Sequence, residues 1–153
     1  MPQLSMHSPL GDLTLSEDDG AIVALDWGWG RDQDETSLLV AVRDRLDAYF
    51  DGGADPFADL PLAPYGTAYQ QRVWQVLRAI PAGQTRTYRD IAQVAGGSPR
   101  SVGQANSVNP IPILIPCHRV VAVQGLGGYS GDGGLDDKLF LLGLEGAAVP
   151  ALA

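Results

Sequence analysis

The 153-residue chain has a single cysteine and two histidines, and no stretch of it is apolar enough to cross a membrane. Each scarcity closes off a class of protein. One cysteine cannot make an internal disulfide. His7 and His118 lie far apart and lack the ligand spacing of a structural zinc site, so no metal is expected. A membrane span needs roughly 18 consecutive apolar residues, so the membrane is not an expected partner. The first residues lack the basic-then-apolar pattern of a secretory signal, which leads us to expect a cytoplasmic protein. A hydrophobic content of 45% with mean hydropathy near zero fits a globular chain with mass enough for one core or two small ones.

The net charge of −8 argues at first against a nucleic-acid partner, but its distribution reverses the argument. Residues 1–65 hold 3 basic and 13 acidic side chains, whereas residues 66–131 hold six arginines and only Asp90. An arginine-bearing middle inside an acidic chain points to an anionic partner, although a solvated basic face would look the same.

Along residues 3–26, Leu4 and Met6, then Leu13 and Leu15, alternate with polar neighbours, and an apolar run follows from Ile22. With turn residues at 9–12 and 18–20, this predicts two or three short strands. Thr36 or Ser37 can cap a helix in which Leu38, Leu39, Val42, Leu46 and Tyr49 recur at helical spacing. Residues 51–66, with three prolines and several acids, read as a linker and place a domain boundary. Thr67 with Gln70 is a capping-box pair opening a helix with Tyr69, Val73, Val76, Leu77 and Ile80 on one face. Thr87 and Ser98 cap two more short helices on either side of Gly96-Gly97, the second with Pro99 in its first turn and ending at Asn109-Pro110. That spacing is the spacing of a helix-turn-helix, a motif that also serves as plain packing. The second helix carries Arg100, Ser101, Gln104 and Asn106, with Gly103 and Ala105 small, so it is slim and rich in hydrogen-bonding groups. Residues 135–144 predict a last helix with Leu135, Leu139 and Leu142 inward, followed by Glu145. A carboxylate at a helix C-terminus opposes the helix dipole and implies a partner that holds it.

Residues 111–121, I-P-I-L-I-P-C-H-R-V-V, place Cys117, His118 and Arg119 between two buried-strand patterns. A lone cysteine is as much at home as a small core hydrophobe. The adjacent His118 and Arg119 tip the balance towards a nucleophile, because a nearby cation lowers a thiol pKa. Successive strand residues point to opposite faces, so His118 reaches the sulfur only if the chain turns or a water intervenes. Residues 124–134 hold six glycines around Tyr129 and Ser130, which suits a loop whose backbone approaches a ligand, or simply a flexible one.

The run N-P-I-P-I-L-I-P-C-H-R-V-V from Asn109, together with T-A-Y-Q-Q-R-V-W, I-P-A-G-Q-T-R-T-Y and the tail G-Y-S-G with K-L-F-L-L-G-L-E-G, resembles the O6-alkylguanine-DNA alkyltransferases from about residue 66 to 146. The N-terminal third resembles the family's small domain more loosely. The resemblance implies an α/β (α+β) fold, with a ribonuclease H-like sheet-plus-helix domain over 1–65 and a mostly helical domain with a helix-turn-helix over 66–153. It also implies direct-reversal repair: irreversible, single-use transfer of the alkyl group from O6-alkylguanine, and from O4-alkylthymine, in double-stranded DNA to Cys117 after base flipping. The protein would be monomeric and need no cofactor. Cys117 would be the acceptor, His118 its base through a water, and Glu145 the group orienting His118. Tyr88 would bond the flipped base and supply a proton, Arg100 would fill the gap in the duplex, and Asn109 would brace the turn before the active-site segment. Ser101, Gln104 and Ala105 would join Arg100 and Tyr88 on DNA, while Pro112, Val120, Tyr129, Ser130 and Lys138 would form the pocket.

The chemistry asks for the same parts. A thiol attacking saturated carbon needs a positioned base, and a base needs an orienting group. The departing guanine anion must be neutralised, and a base stacked in a duplex must be flipped out. Two departures from the family pattern stand out: residues 131–134, G-D-G-G, look longer by two and add Asp132, and Asn106 and Ser107 replace larger or basic residues, which predicts weaker phosphate contact. The competing readings are a recognition module that binds alkylguanine and recruits other factors, a cysteine hydrolase, and a sequence-specific DNA-binding regulator.

Overall fold

The structure, a computed structural model, describes residues 1–52, 57–129 and 133–148. Its contacts divide the chain into two compact units, Met1–Tyr65 and Gly66–Ala153.

In the first unit, β1 (Gln3–Met6), β2 (Leu13–Asp18) and β3 (Ala21–Trp27) form an antiparallel sheet in sequence order. The β2–β3 turn puts Asp19 and Gly20 at positive φ, 49° and 78°, the hairpin geometry that matches strand twist. Register sets Leu4 opposite Leu15 and Leu15 opposite Leu25, so one sheet face is aliphatic. Helix α1 (Ser37–Phe50), capped by the Thr36 side chain accepting from Leu39 N, covers the sheet with Leu39, Val42, Leu46 and Tyr49. Leu13, Leu15, Leu39 and Leu46 have no exposed surface, and each such burial is worth about 1.5–3 kcal/mol. The opposite face buries hydroxyls instead: Ser5 Oγ and Thr14 Oγ1 bond at 2.8 Å, and Gly30 N donates to Ser5 Oγ. The region read as a linker is in part structural. Phe57 and Leu60 are buried, Ile22 N donates to Pro61 O, and Ala63 N donates to Ile22 O. Pro61 suits that place, since a proline can lie along a sheet edge where its missing N–H is not needed.

The second unit packs α2 (Ala68–Arg78), α3 (Tyr88–Ala95) and α4 (Pro99–Ser107) against one another. All three open with capping boxes, Thr67–Gln70, Thr87–Asp90 and Ser98–Ser101. Trp74, outside the stripe read from the sequence, is 1% exposed and donates its Nε1 to Ala105 O, which ties α2 to α4. Beyond α4 come a single 3₁₀ turn (Cys117–Arg119), β5 (Val120–Val121) and α5 (Gly134–Leu144). Strand β5 pairs in parallel with β4 (Arg86–Thr87), Arg86 opposite Val120 and Thr87 opposite Val121. Because Tyr88 follows β4 and Cys117 precedes β5, this short pairing fixes how the two approach. The inner face of α5 differs from the expected leucine stripe. Lys138, Leu141 and Leu142 are buried, while Leu135 is 44% exposed.

Candidate active site

The segment entering the site is held by its own amides. Asn109 Nδ2 donates to Ile115 O at 2.9 Å, Ile111 N donates to Asn109 Oδ1 at 3.0 Å, and Cys117 N donates to Ile115 O at 2.7 Å. Between these clamps Ile113 sits at φ 74°, buried. A β-branched residue there carries strain of about 1–3 kcal/mol, which the surrounding bonds hold in place. The chain then turns at Cys117 instead of continuing as a strand.

The turn fans three side chains apart. The Cys117 thiol is free and 1% exposed. His118, fully buried, bonds through Nε2 to Glu145 Oε2 at 2.7 Å. Arg119 grips the same carboxylate with Nε on Oε1 (2.9 Å) and Nη2 on Oε2 (2.8 Å), while its Nη1 donates to Ile80 O. Burial pushes the Glu145 carboxyl up, but the hydrogen bonds from His118 and Arg119 outweigh it and leave the group at about 2. An ionised Glu145 accepts from Nε2–H, which makes Nδ1 the basic nitrogen of a neutral ring. Burial also lowers the His118 pKa, against the opposing pull of Glu145. His118 Nδ1 is buried with no hydrogen-bond partner among the described residues.

Sequence adjacency misled on one point. Arg119 was expected to lower the thiol pKa, but its charge is spent on Glu145. Burial instead raises Cys117 to about 11, offset in part by the Asn109 amide and the Lys138 ammonium. Lys138, the chain's single lysine, is completely buried and donates to Val120 O at 2.7 Å and Gly128 O at 2.9 Å. Burial brings it down to about 8, so at neutral pH it is still mostly a cation.

A cavity of about 170 Å³ opens at the sulfur, lined by Cys117 with Tyr88, Tyr129, Gly128 and the α4 residues Gly103, Asn106 and Ser107. It is smaller than the roughly 300 Å³ of an ordinary ligand pocket and suits one small planar group. Tyr88 Oη accepts from Gly128 N at 3.3 Å, and burial raises its phenol pKa, keeping it a proton donor. Two larger hollows on α2 and α3, of about 660 and 570 Å³, have no cysteine or histidine among their described linings.

Both parts of the chain match family models: residues 4–64 the 6-O-methylguanine DNA methyltransferase ribonuclease-like domain, and residues 68–147 the 6-O-methylguanine DNA methyltransferase DNA-binding domain. The chain belongs to the 6-O-methylguanine DNA methyltransferase family. It is 42% identical to the methylated-DNA–protein-cysteine methyltransferase of Metallosphaera sedula, over 93% of this chain and 91% of that one. Its identity to the Mycobacterium leprae protein of the same name is 44%, over 92% and 90%. Among solved structures it is similar to Mycobacterium tuberculosis OGT in complex with DNA, with a TM-score of 0.83, 37% identity, and 98% and 96% of the two chains covered.

Within this family member, Cys117, His118, Glu145, Tyr88, Asn109, Lys138, Val120 and Tyr129 come together around the turn and the cavity. Of the residues expected to form the pocket, Pro112, Val120 and Lys138 are buried and are not among the described lining residues; Lys138 meets the cavity wall only by donating to Gly128 O. Ser130 and Asp132 lie outside the described residues. On α4, Arg100 and Gln104 are exposed. Ser101 is half-buried, with its hydroxyl 2.8 Å from Tyr69 Oη and accepting from Ser98 N. Ala105 is 2% exposed; its methyl faces the core, not the surface expected to meet DNA. Asn106, grouped with surface phosphate contacts, is 5% exposed and lines the cavity, with Nδ2 donating to Cys117 O at 3.3 Å. The signal for it was present, since Gly103, Asn106 and Ser107 stand at i, i+3 and i+4 on one helix face.

Proposed function

We propose that the protein repairs alkylated DNA by direct reversal, taking the alkyl group from O6-alkylguanine, and from O4-alkylthymine, onto Cys117 once and irreversibly. The observation that carries this reading is a buried thiol in the wall of a base-sized cavity, next to a histidine whose Nε2 is bonded to an ionised glutamate and whose Nδ1 has no partner among the described residues. The Cys117 proton passes through a water to His118 Nδ1, the sulfur bonds to the alkyl carbon, and the carbon–O6 bond breaks with its electron pair leaving on guanine. The Tyr88 phenol gives its proton to the departing base, and the proton taken up by His118 restores the phenol through solvent. The net exchange turns thiol and O6-alkylguanine into thioether and guanine. A thiol held near 11 is almost wholly protonated at neutral pH, so removal of its proton is coupled to the transfer itself, with the Lys138 ammonium and the Asn109 amide favouring the thiolate.

The target atom is stacked inside a duplex, so the lesion must be flipped out at a cost of a few kcal/mol. Helices α3 and α4 act as the helix-turn-helix that reads the groove, and exposed Arg100 fills the space left by the extruded nucleotide, where its flat guanidinium can stack on bases. The protein works as a monomer on double-stranded DNA in the cytoplasm. The competing recognition-module reading draws its support from the burial of the thiol and its raised pKa. One experiment separates the two: mass measurement after incubation with excess O6-methylguanine duplex. Wild type should gain a single methyl group per chain and Cys117→Ser none. An unmodified wild-type thiol would refute the proposal.

A further inference from the structure

Arg100 is exposed and makes no hydrogen bond or ion pair with the other described residues, so its position is set by the backbone of the first turn of α4. Beyond that turn α4 is anchored by buried Val102 and Ala105 and by Trp74 Nε1 on Ala105 O, whereas Ser98, Pro99 and Arg100 are exposed. Among the described residues, the side-chain hydrogen bond that reaches this turn from another helix comes from Tyr69 of α2. Its Oη lies 2.9 Å from Gly96 O and 2.8 Å from Ser101 Oγ. A carbonyl only accepts, so Tyr69 donates to Gly96 O and its oxygen accepts from the Ser101 hydroxyl, while Ser101 Oγ accepts from Ser98 N at 2.9 Å. With the Ser101 proton on Ser98 O instead, 3.0 Å away, Tyr69 would have to choose between its partners; the directed chain satisfies every group in it. Glycine makes the room. Gly96 and Gly97 stand at positive φ, 89° and 78°, and a Cβ on Gly97 would lie 2.5 Å from both Tyr69 Oη and Ser101 Oγ. Arg72, one turn along α2, lies over the Tyr69 ring at 5.3 Å and donates Nε to Ala95 O at 3.3 Å. The last carbonyls of α3 and the first turn of α4 are thus fastened to one face of α2.

We propose that Tyr69 is a positioning residue for Arg100: its hydroxyl fixes the first turn of α4 against α2, so that the arginine already stands in place when the nucleotide leaves the stack. This rests on the gap-filling role of Arg100 proposed above. A long side chain loses rotamer freedom when it is inserted. An unfastened turn would add the ordering of its own backbone to that loss, and the hydroxyl of Tyr69 removes this second cost before DNA arrives.

The test is a double-mutant cycle of Tyr69→Phe and Arg100→Ala, read as single-turnover methyl transfer to Cys117 from an O6-methylguanine duplex and from the free O6-methylguanine base. Tyr69→Phe keeps the ring beneath Arg72 and removes only the hydroxyl. It should slow transfer from the duplex about two- to tenfold, the range for losing one hydrogen bond, and leave the free-base rate within about twofold of wild type. In the Arg100→Ala background the same substitution should have no further effect on the duplex rate, because residues that act as a unit are not additive. A general loss of stability would slow both substrates, and a direct contact of the phenol with DNA would add its loss to that of the arginine. Either result overturns the proposal, as does a Tyr69→Phe protein that repairs duplex at the wild-type rate. If Tyr69→Phe folds poorly, Gly97→Ala, which drives a methyl into the hydroxyl pair from the other side, is held to the same cycle. Equal losses on both substrates in Arg100→Ala alone would instead sink the gap-filling role, and this proposal with it.

Discussion

Replacing Glu145 by glutamine removes the one negative charge shared by two buried bases. The carboxyl falls from 4.5 to about 2 in the folded protein, which corresponds to about 3 kcal/mol of stability. Its side chain is only 1% exposed, so solvent screening does little to reduce that figure. Because the folded value lies below the unfolded one, the contribution is complete above pH 4.5 and is lost as pH falls towards 2. Glu145→Gln should therefore cost about 3 kcal/mol at pH 7, consistent with the roughly 3–5 kcal/mol of breaking a buried pair from one side, and the gap to wild type should close below pH 4.5. The chain has three tryptophans, and only Trp74 lies in the second unit, where its Nε1 is buried on Ala105 O. Urea titration followed by Trp74 fluorescence, with Trp27 and Trp29 replaced by phenylalanine in both proteins, reads the unfolding of that unit. A gap under about 1 kcal/mol at pH 7, the value of an exposed pair, would refute the reasoning, as would a gap that stays constant on acidification.

With its thiol raised to about 11, Cys117 should react with iodoacetamide at pH 8 at least about a hundredfold more slowly than free cysteine. The rate should still be climbing above pH 9, and a plateau below that pH would contradict the assigned ionisation. Arg100→Ala should slow repair of duplex DNA while leaving reaction with free O6-alkylguanine base unchanged; equal losses on both substrates would count against its role in the gap. Gly127 is at φ 74°, and a Cβ there would lie 2.6 Å from Tyr88 Oη. Gly127→Ala should therefore add about 1–3 kcal/mol of strain, displace the phenol and slow methyl transfer, whereas wild-type transfer kinetics in this variant would show that Tyr88 is not needed where it sits.

What the sequence disclosed depended on how local each cause was. Thr36, Thr67, Thr87 and Ser98 each satisfy amides three residues on, so the helix starts were readable from spacing alone. The same holds for the β2–β3 turn, which needs only Asp19 and Gly20 to take positive φ. The inner face of α5 was not readable. Lys138 displaces Leu135 from it because two carbonyls, from residues 18 and 10 positions away, meet its ammonium, and only that pairing makes burial of a lysine tolerable. The segment around Phe57 and Leu60 was likewise read by its prolines and acids, while its placement is decided by Ile22, whose backbone it bonds.

The active-site turn shows why neighbours in sequence are poor guides to electrostatics. Successive residues of a 3₁₀ turn point about 120° apart, so Cys117, His118 and Arg119 address three different environments in spite of their adjacency. Arg119 reaches a carboxylate 26 residues further on, and the cation that does act on the sulfur comes from α5 as Lys138. A guanidinium turned onto the sulfur would stabilise the thiolate before any lesion arrived and expose it to adventitious electrophiles. Turned onto Glu145, the same guanidinium keeps that carboxylate ionised, and through it holds His118 with its basic nitrogen free. On the proposed mechanism the arginine of the C-H-R sequence therefore prepares the base and not the nucleophile, and Arg119→Lys, which keeps the charge but loses the two-point grip, should disturb the His118 tautomer more than the Cys117 titration. Imidazole nitrogen shifts by NMR, set beside the thiol pH profile, would measure the two effects separately, and a thiol shift without an imidazole shift would reverse the assignment.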